Sequence, residues 1–162
     1  PLRVYRSPER IGTMTSESTD RRDVEETVRR LVDEVSEWAH VAVDEHRSGG
    51  TALRIGPREI GRVHPWGLLD VAFLRTLRDV LIEEGHTGAH TVLSESGWTT
   101  FHVEAPHEYE HARRLLRLAY LNHVTVLKGT PAGAEELTNV DVEAELDAMG
   151  LSRRIHSAFE GR

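Results

Sequence analysis

The chain has 162 residues, 38% hydrophobic and 29% charged, with a net charge of −7 and no cysteine. This length suits one domain of the usual ~100–150 residues with an attached segment. The lack of cysteine excludes a disulfide scaffold, a thiolate metal site and a cysteine nucleophile. A net acidic balance argues against a general nucleic-acid binder, which needs a basic face. No apolar run approaches the ~18–20 residues of a membrane helix. We therefore expect a soluble, cytoplasmic protein that has neither nucleic acid nor membrane as a partner.

The composition is unusual in its basic residues. Arginine outnumbers lysine 19 to 1, Lys128 being the single lysine, and acidic residues number 27. This bias indicates a GC-rich bacterial or archaeal genome and is compatible with a halophilic cytoplasm, in which an acidic surface keeps a protein soluble. Codon bias explains the arginine excess equally well. The ten histidines matter more for function, since histidine is the commonest metal ligand and a proton shuttle near neutral pH.

The N-terminal region divides into two parts. Residues 1–20 are rich in Ser, Thr and Pro and lack hydrophobic periodicity, so we expect a disordered lead-in. Met14 begins a stretch that resembles a natural protein start. Apolar residues then recur at spacings of three and four from Val24 to Trp38, which predicts an amphipathic helix.

From Val41 the hydrophobic period changes to two. Short strands are predicted at 41–43, 51–55, 58–64, 68–73 and 97–103, the first three joined by glycine turns, as in an antiparallel meander. In a regular third strand, Arg58, Ile60, Arg62 and His64 would share one side, opposite Glu59, Gly61 and Val63.

Helical patterns alternate with these strands and follow them. They are predicted at 74–84, which Gly85 ends, and from about Pro106 to Val124, with weaker helices in the acidic region after 128. The predicted fold class is α+β, an antiparallel sheet of four to five strands with helices packed on one face. The domain at 21–128 is then followed by an acidic helical C-terminal extension at 129–162.

Four sequence features between residues 58 and 101 together resemble the luciferase domain. They are Arg58-Glu59-Ile60-Gly61-Arg62-Val63-His64, then Asp70, then Gly85 to His90, then Gly97-Trp98-Thr99-Thr100-Phe101. This domain is named for fungal luciferases and also occurs in bacterial and archaeal proteins; the resemblance covers roughly residues 41–123. It implies an oxidoreductase of the luciferase or monooxygenase kind, which oxidises an enolic small molecule with molecular oxygen and without an organic cofactor.

One position departs from the family motif, which reads R-E-I-G/A-H-x-H. Arg62 stands where the first histidine of the pair is expected. Two histidines at i and i+2 on a strand share a face and can hold a metal or move protons together. A guanidinium in that place ends the shared role or converts it to anion recognition. We therefore do not expect light emission.

The resemblance and the residue types together select candidate site residues. His64 and His90 are interpreted as catalytic, and Asp70 as the carboxylate that orients one of them. The alternatives are a strand-end histidine bonded to a carbonyl group and a solvated edge carboxylate. A metal ion could bind through His64 and His90, although no metal site is assigned. The expected substrate-binding residues are Arg58, Arg62, Trp66 and Trp98, where the alternatives are an ordinary ion pair for Arg58 and a core position for Trp98.

A second motif has another interpretation. His107-Glu108-Tyr109-Glu110-His111 matches the zincin pattern H-E-x-x-H. Its position at a helix start and the lack of a third ligand favour a solvated first turn.

Two functional hypotheses remain: an enzyme-like domain that binds a small molecule, and a non-catalytic binding or interaction module on the same scaffold. The sequence leaves the oligomeric state open.

Overall fold

The computed structural model describes the backbone of residues 9–45 and 49–160, and the side chains of 19–45 and 49–160. Its helices are α1 (Glu9–Ser36), α2 (Arg75–Glu83), α3 (Tyr109–Lys128), α4 (Pro131–Glu136), α5 (Val142–Ala148) and α6 (Arg153–Glu160). Its strands are β1 (Val41–Glu45), β2 (Thr51–Ile55), β3 (Arg58–Val63), β4 (Leu68–Ala72), β5 (Gly88–Ala89) and β6 (Trp98–His102). A 3-10 turn at Pro106–Glu108 leads into α3.

The strands form one antiparallel sheet in the order β1-β2-β3-β4-β6-β5. The predicted α+β class with an antiparallel sheet is therefore confirmed. The sheet has six strands within the described residues, where four to five were expected. The additional strand, β5, pairs its two residues with Thr99 and Thr100 of β6. A two-residue strand is too short to show an alternating pattern in the sequence.

One face of the sheet, here called the inner face, packs against α1 and α3. It presents Leu53, Ile60 and Val71, all fully buried. Gly61 lies beneath α3, and a Cβ atom at this position would come within 3.0 Å of Leu116 Cδ2. The missing side chain therefore lets the helix approach β3 closely. The opposite face is called the outer face.

A bulge in β3 changes which residues share a face. Arg54 pairs with Glu59 and Leu53 pairs with Gly61, so Ile60 is an extra residue opposite the β2 ladder. Two neighbouring residues of a bulge oppose one partner, and the alternation shifts by one position beyond them. The faces expected for Arg58 and Glu59 from a regular strand are therefore wrong, because both residues precede the bulge. Glu59 lies on the outer face with Arg62, and Arg58 lies on the inner face.

The first helix begins at Glu9, well before the start expected from the apolar pattern. Residues 9–20 are therefore helical, where a disordered lead-in was expected, and residues 1–8 of that lead-in lie outside the described part of the chain. Once the amphipathic segment has formed a helix, each added turn costs little, which accounts for the extension through a polar segment. In the described ranges, neither α1 nor another helix is long and apolar enough to cross a membrane.

The C-terminal helices are part of the main hydrophobic core. The helices α4 and α5 contact α3, and α6 contacts α2. Leu137, Leu146, Ile155 and Phe159 are buried in the same cluster as the sheet residues. Arg117 of α3 also donates to Glu145 of α5 at 2.7 Å. The region predicted as an acidic helical extension thus contains the three helices α4, α5 and α6, which pack on the domain.

Candidate functional site

Polar side chains gather on the outer face at the centre of the sheet. Arg62 of β3 pairs with Asp70 of β4, which pairs with Thr100 of β6. Directly paired residues point to the same side of a sheet, so these three side chains form a row across it. His64 lies two residues beyond Arg62 and so shares its face.

Asp70 is the centre of this group. Its Oδ2 lies 3.3 Å from His64 Nε2, its Oδ1 lies 3.4 Å from His90 Nε2, and Oδ1 also accepts a hydrogen bond of 3.2 Å from Thr100. The side chains of Asp70, His64 and His90 are only 13%, 15% and 17% exposed. A carboxylate this well covered needs partners, and the histidines supply them. We call His64, Asp70 and His90 the histidine–aspartate cluster.

The loop before β6 fixes the tautomer of His90. Its Nδ1 accepts hydrogen bonds from the backbone N–H groups of Val92 at 3.2 Å and Leu93 at 3.0 Å. A nitrogen that accepts two hydrogen bonds carries no proton, so a neutral His90 has its proton on Nε2, beside Asp70. Both ring nitrogens of His90 are therefore engaged. This histidine is suited to hold Asp70 in place.

His64 has an unused nitrogen. Its Nδ1 is buried and is the one buried side-chain polar atom without a hydrogen-bond partner among the described residues. The atom faces Gly50, where a Cβ would come within 3.0 Å of it. When Nε2 donates to Asp70, Nδ1 keeps a free lone pair. A carboxylate on one nitrogen and a free lone pair on the other is the arrangement of a histidine general base.

The rings of Trp66 and Trp98 lie around the cluster, together with the Arg62 guanidinium, whose charge is balanced by Glu59. The Trp66 ring stacks on His64 with centroids 4.8 Å apart and is 58% exposed. The Arg62 guanidinium lies 5.4 Å from the centroid of the Trp98 ring; this ring is half-buried on the outer face and is not part of the core. Glu59 accepts hydrogen bonds from Arg62 of 2.5 and 3.2 Å, and this pairing raises the pKa of Arg62.

Arg58 does not join the expected substrate-binding residues. The bulge turns it to the inner face, where its Nε donates to Nδ1 of His123 in α3 at 2.8 Å. His123 is 4% exposed, and its Nε2 lies 2.9 Å from the carbonyl oxygen of Ala72. Burial lowers the pKa of His123 to about 4, and the nearby Arg58 charge adds to that effect. Arg58 and His123 therefore connect β3, α3 and β4.

The two histidines of the zincin-like motif, His107 and His111, do not point at a common site. His111 places Nε2 2.7 Å from the carbonyl oxygen of His86, and its ring packs on Phe101 with centroids 4.8 Å apart; His107 is exposed. In the part of the chain that the structure describes, no group of three or more His, Cys, Asp or Glu side chains could hold a metal ion.

Sequence reasoning missed two residues around the cluster, Thr100 and Glu59, and one on the inner face, His123. Thr100 and Glu59 become visible only from strand pairing and from the bulge. His123 had a signal, because it follows the apolar stripe of α3 at helical spacing from Ala119 and Tyr120. A histidine on such a stripe is buried with the stripe.

Residues 57–119 match the family model of the luciferase domain, which confirms the resemblance based on the motifs at 58–64 and 97–101. The matched segment runs from the start of β3 into α3 and contains the whole histidine–aspartate cluster. No curated protein and no solved structure matches the chain.

Proposed function

From the luciferase domain at residues 57–119, we propose that the protein binds a small neutral enol or phenol on the outer face and removes its hydroxyl proton with His64. The observation that carries this proposal is the unpartnered, buried Nδ1 of His64, held by Asp70 through the opposite nitrogen. The resulting enolate is electron-rich and reacts directly with molecular oxygen, so the step is an oxidation without an organic cofactor.

The division of roles follows from the hydrogen bonds. Asp70 keeps the proton of His64 on Nε2 and stabilises the imidazolium that forms when Nδ1 takes a second proton. His90 and Thr100 contact the other carboxylate oxygen, Oδ1, and so fix the position of Asp70. A general base of this kind contributes roughly 10²–10⁴ in rate. Gly50 lies against Nδ1 of His64, since a Cβ at Gly50 would come within 3.0 Å of that atom.

The charges favour a ligand that arrives neutral. Glu59 and Asp70 carry two negative charges and Arg62 one positive charge, so the site has a net charge of −1 when both histidines are neutral. Glu59 already engages the guanidinium through two hydrogen bonds. An anion would therefore have to compete with Glu59 for Arg62. A neutral hydroxyl compound avoids this competition and can stack on the exposed Trp66 ring.

A metal ion is a variant of the same proposal. His64 and His90 both place Nε2 beside Asp70, so these two nitrogens would be its protein ligands, and solvent or the bound small molecule would supply the others. The ion would have to replace the contacts between the histidines and Asp70. Metal analysis of the purified protein and a comparison of activity before and after chelation distinguish the two versions.

The alternative function is a non-catalytic binding module. The observation that favours it is Arg62, which replaces the first histidine of the family motif and is paired with Glu59. This function would retain binding at Trp66 and the cluster, without proton transfer and without oxygen consumption.

Oxygen uptake and calorimetric binding with hydroxylated pyrones and phenols test the proposal. We expect wild-type protein to consume oxygen, and His64→Ala to lose at least 100-fold of the rate while thermal melting still shows a cooperatively folded protein. Asp70→Asn should lower the rate as well, since His64 loses its orienting acceptor. His107→Ala, at an exposed histidine, is the matched control. Binding without oxygen uptake supports the module; full activity of His64→Ala refutes the role of this base.

A further inference from the structure

A cavity of about 590 Å³ lies among the C-terminal helices, lined by the end of α3 and by α5 and α6. Small-molecule sites usually occupy clefts of about 300–1,000 Å³. The lining residues all fall between Thr125 and Glu160. The cavity therefore lies outside the segment 57–119 that matches the luciferase domain, and it shares no residue with the histidine–aspartate cluster.

The lining combines an apolar base with charged walls. Leu146 of α5 and Phe159 of α6 are core residues that also line the cavity. The ammonium group in the lining is that of Lys128, which donates to the carbonyl oxygen of Val140 at 2.5 Å. Four carboxylates outnumber it, so the lining has a net charge of −3 when His156 is neutral. These carboxylates belong to Asp141, Glu143, Asp147 and Glu160.

Two of the carboxylates repel each other on one helix. Glu143 and Asp147 lie at i and i+4 of α5, where like charges share a face and destabilise the helix. Both side chains are exposed, and among the side chains that the structure describes neither has an ion pair. The nearby Arg117 pairs with Glu145 instead. A cation bound in the cavity would relieve this repulsion.

The carboxylates are spread along the cavity. Asp141 and Asp147 are six residues apart on α5, which is about 9 Å at the helical rise of 1.5 Å per residue. Across the described residues, no three His, Cys, Asp or Glu side chains are placed to hold one metal ion. A point cation therefore meets only part of this charge, whereas a molecule with separated positive charges can meet several carboxylates.

We infer that this cavity binds an aliphatic di- or polyamine. Its ammonium groups donate charge-assisted hydrogen bonds to the carboxylates, and its methylene chain packs against Leu146 and Phe159, where burial of apolar surface is favourable. A neutral His156 adds an acceptor for a further N–H group. This site is independent of the proposed oxidation at His64, so either proposal can fail without the other.

Calorimetry at fixed ionic strength tests the ligand class with spermidine, putrescine, 1-butylamine and Mg²⁺. Spermidine should bind more tightly than putrescine, because it has one more ammonium group. 1-Butylamine keeps the chain length of putrescine with one charge fewer, and Mg²⁺ keeps two charges without a chain. Each should bind more weakly than putrescine by about tenfold or more. Equal affinity for Mg²⁺ and putrescine, or no binding of either amine, would overturn the inference.

Paired variants test the position of the site. Glu143→Gln/Asp147→Asn should weaken spermidine binding by about tenfold or more, and thermal melting verifies that this variant folds. Glu25→Gln/Glu26→Gln removes the same charge from exposed positions of α1, outside the cavity, and should change the affinity by less than about twofold. His64→Ala should bind spermidine as wild type does. Equal weakening in both double variants, or unchanged affinity in Glu143→Gln/Asp147→Asn, would contradict this site.

Discussion

Glu59 and Arg62 form an ion pair of 2.5 Å on one face of a strand, although three residues separate them. In a regular strand, residues at i and i+3 point to opposite faces. The bulge at Ile60 supplies the extra residue that brings the two side chains to the same side. The same bulge sends Arg58 through the sheet to His123. One inserted residue therefore gives Arg58 and Arg62 different contacts, on opposite faces of the sheet.

The first prediction concerns these two arginines. Arg58→Ala should destabilise the protein by about 1–3 kcal/mol, because it leaves the buried Nδ1 of His123 without its donor. It should leave ligand affinity unchanged, since Arg58 lies on the inner face. Arg62→Ala should do the reverse, with a small loss of stability and a clear change in affinity. Urea unfolding and calorimetry measure the two quantities. Equal effects of both variants on affinity would contradict the assignment of faces.

The second prediction concerns acid stability. The pKa of His123 is about 4 in the folded protein and about 6.5 in the unfolded chain, so the unfolded state binds the proton first as the pH falls. The contribution of neutral His123 is fully present above pH 6.5 and declines between pH 6.5 and pH 4. The lost free energy of unfolding amounts to about 3 kcal/mol.

His123→Gln tests this origin, since glutamine does not titrate and can still accept from Arg58. Urea unfolding between pH 7.5 and pH 4 should show a shallower decline for this variant than for wild type. His107→Gln alters an exposed histidine and should retain the wild-type decline. Parallel curves for wild type and His123→Gln would show that another group causes the acid sensitivity.

The third prediction concerns the entry into β6. A Cβ at Gly97 would lie 1.8 Å from the carbonyl oxygen of Phe73, and Gly97 accepts a hydrogen bond of 2.9 Å from the backbone N–H of Phe73. Gly97→Ala should therefore cost about 1–3 kcal/mol through overpacking. Gly88→Ala is the control, since its Cβ would make an ordinary contact of 3.4 Å. A similar melting temperature for both variants would be inconsistent with this close approach.

The fourth prediction concerns the loop that carries His90. Arg78 of α2 donates to the carbonyl oxygens of Ser94 and Ser96, the latter at 2.5 Å. Arg78→Ala should speed hydrogen exchange of the Ser96 amide, which donates to Leu93, by about tenfold. Ligand affinity should fall in parallel, because this loop holds His90. Arg153→Ala, at an exposed arginine of α6, should alter neither the exchange rate nor the ligand affinity. An unchanged exchange rate in Arg78→Ala would show that the Arg78 hydrogen bonds do not hold this loop.

Much of the fold was predictable from local patterns. The alternation at 51–55 and the stripe of α3 each depend on neighbours within a few residues, so the sequence shows them directly. The bulge at Ile60 depends on how β3 pairs with β2, and nothing near Ile60 in the sequence marks it. The two-residue strand β5 is likewise defined only by its partner.

The α+β class, the family resemblance and the residue types available for chemistry can all be inferred from the order of amino acids alone. Which of those residues meet follows from the folded chain, because contacts such as that between Asp70 and His90 depend on strand order across the sheet. The fold also places Arg58 outside the site and leaves Nδ1 of His64 without a hydrogen-bond partner. Hydrogen bonding and burial are properties of the packed chain, so a residue's role follows from its surroundings as much as from its type.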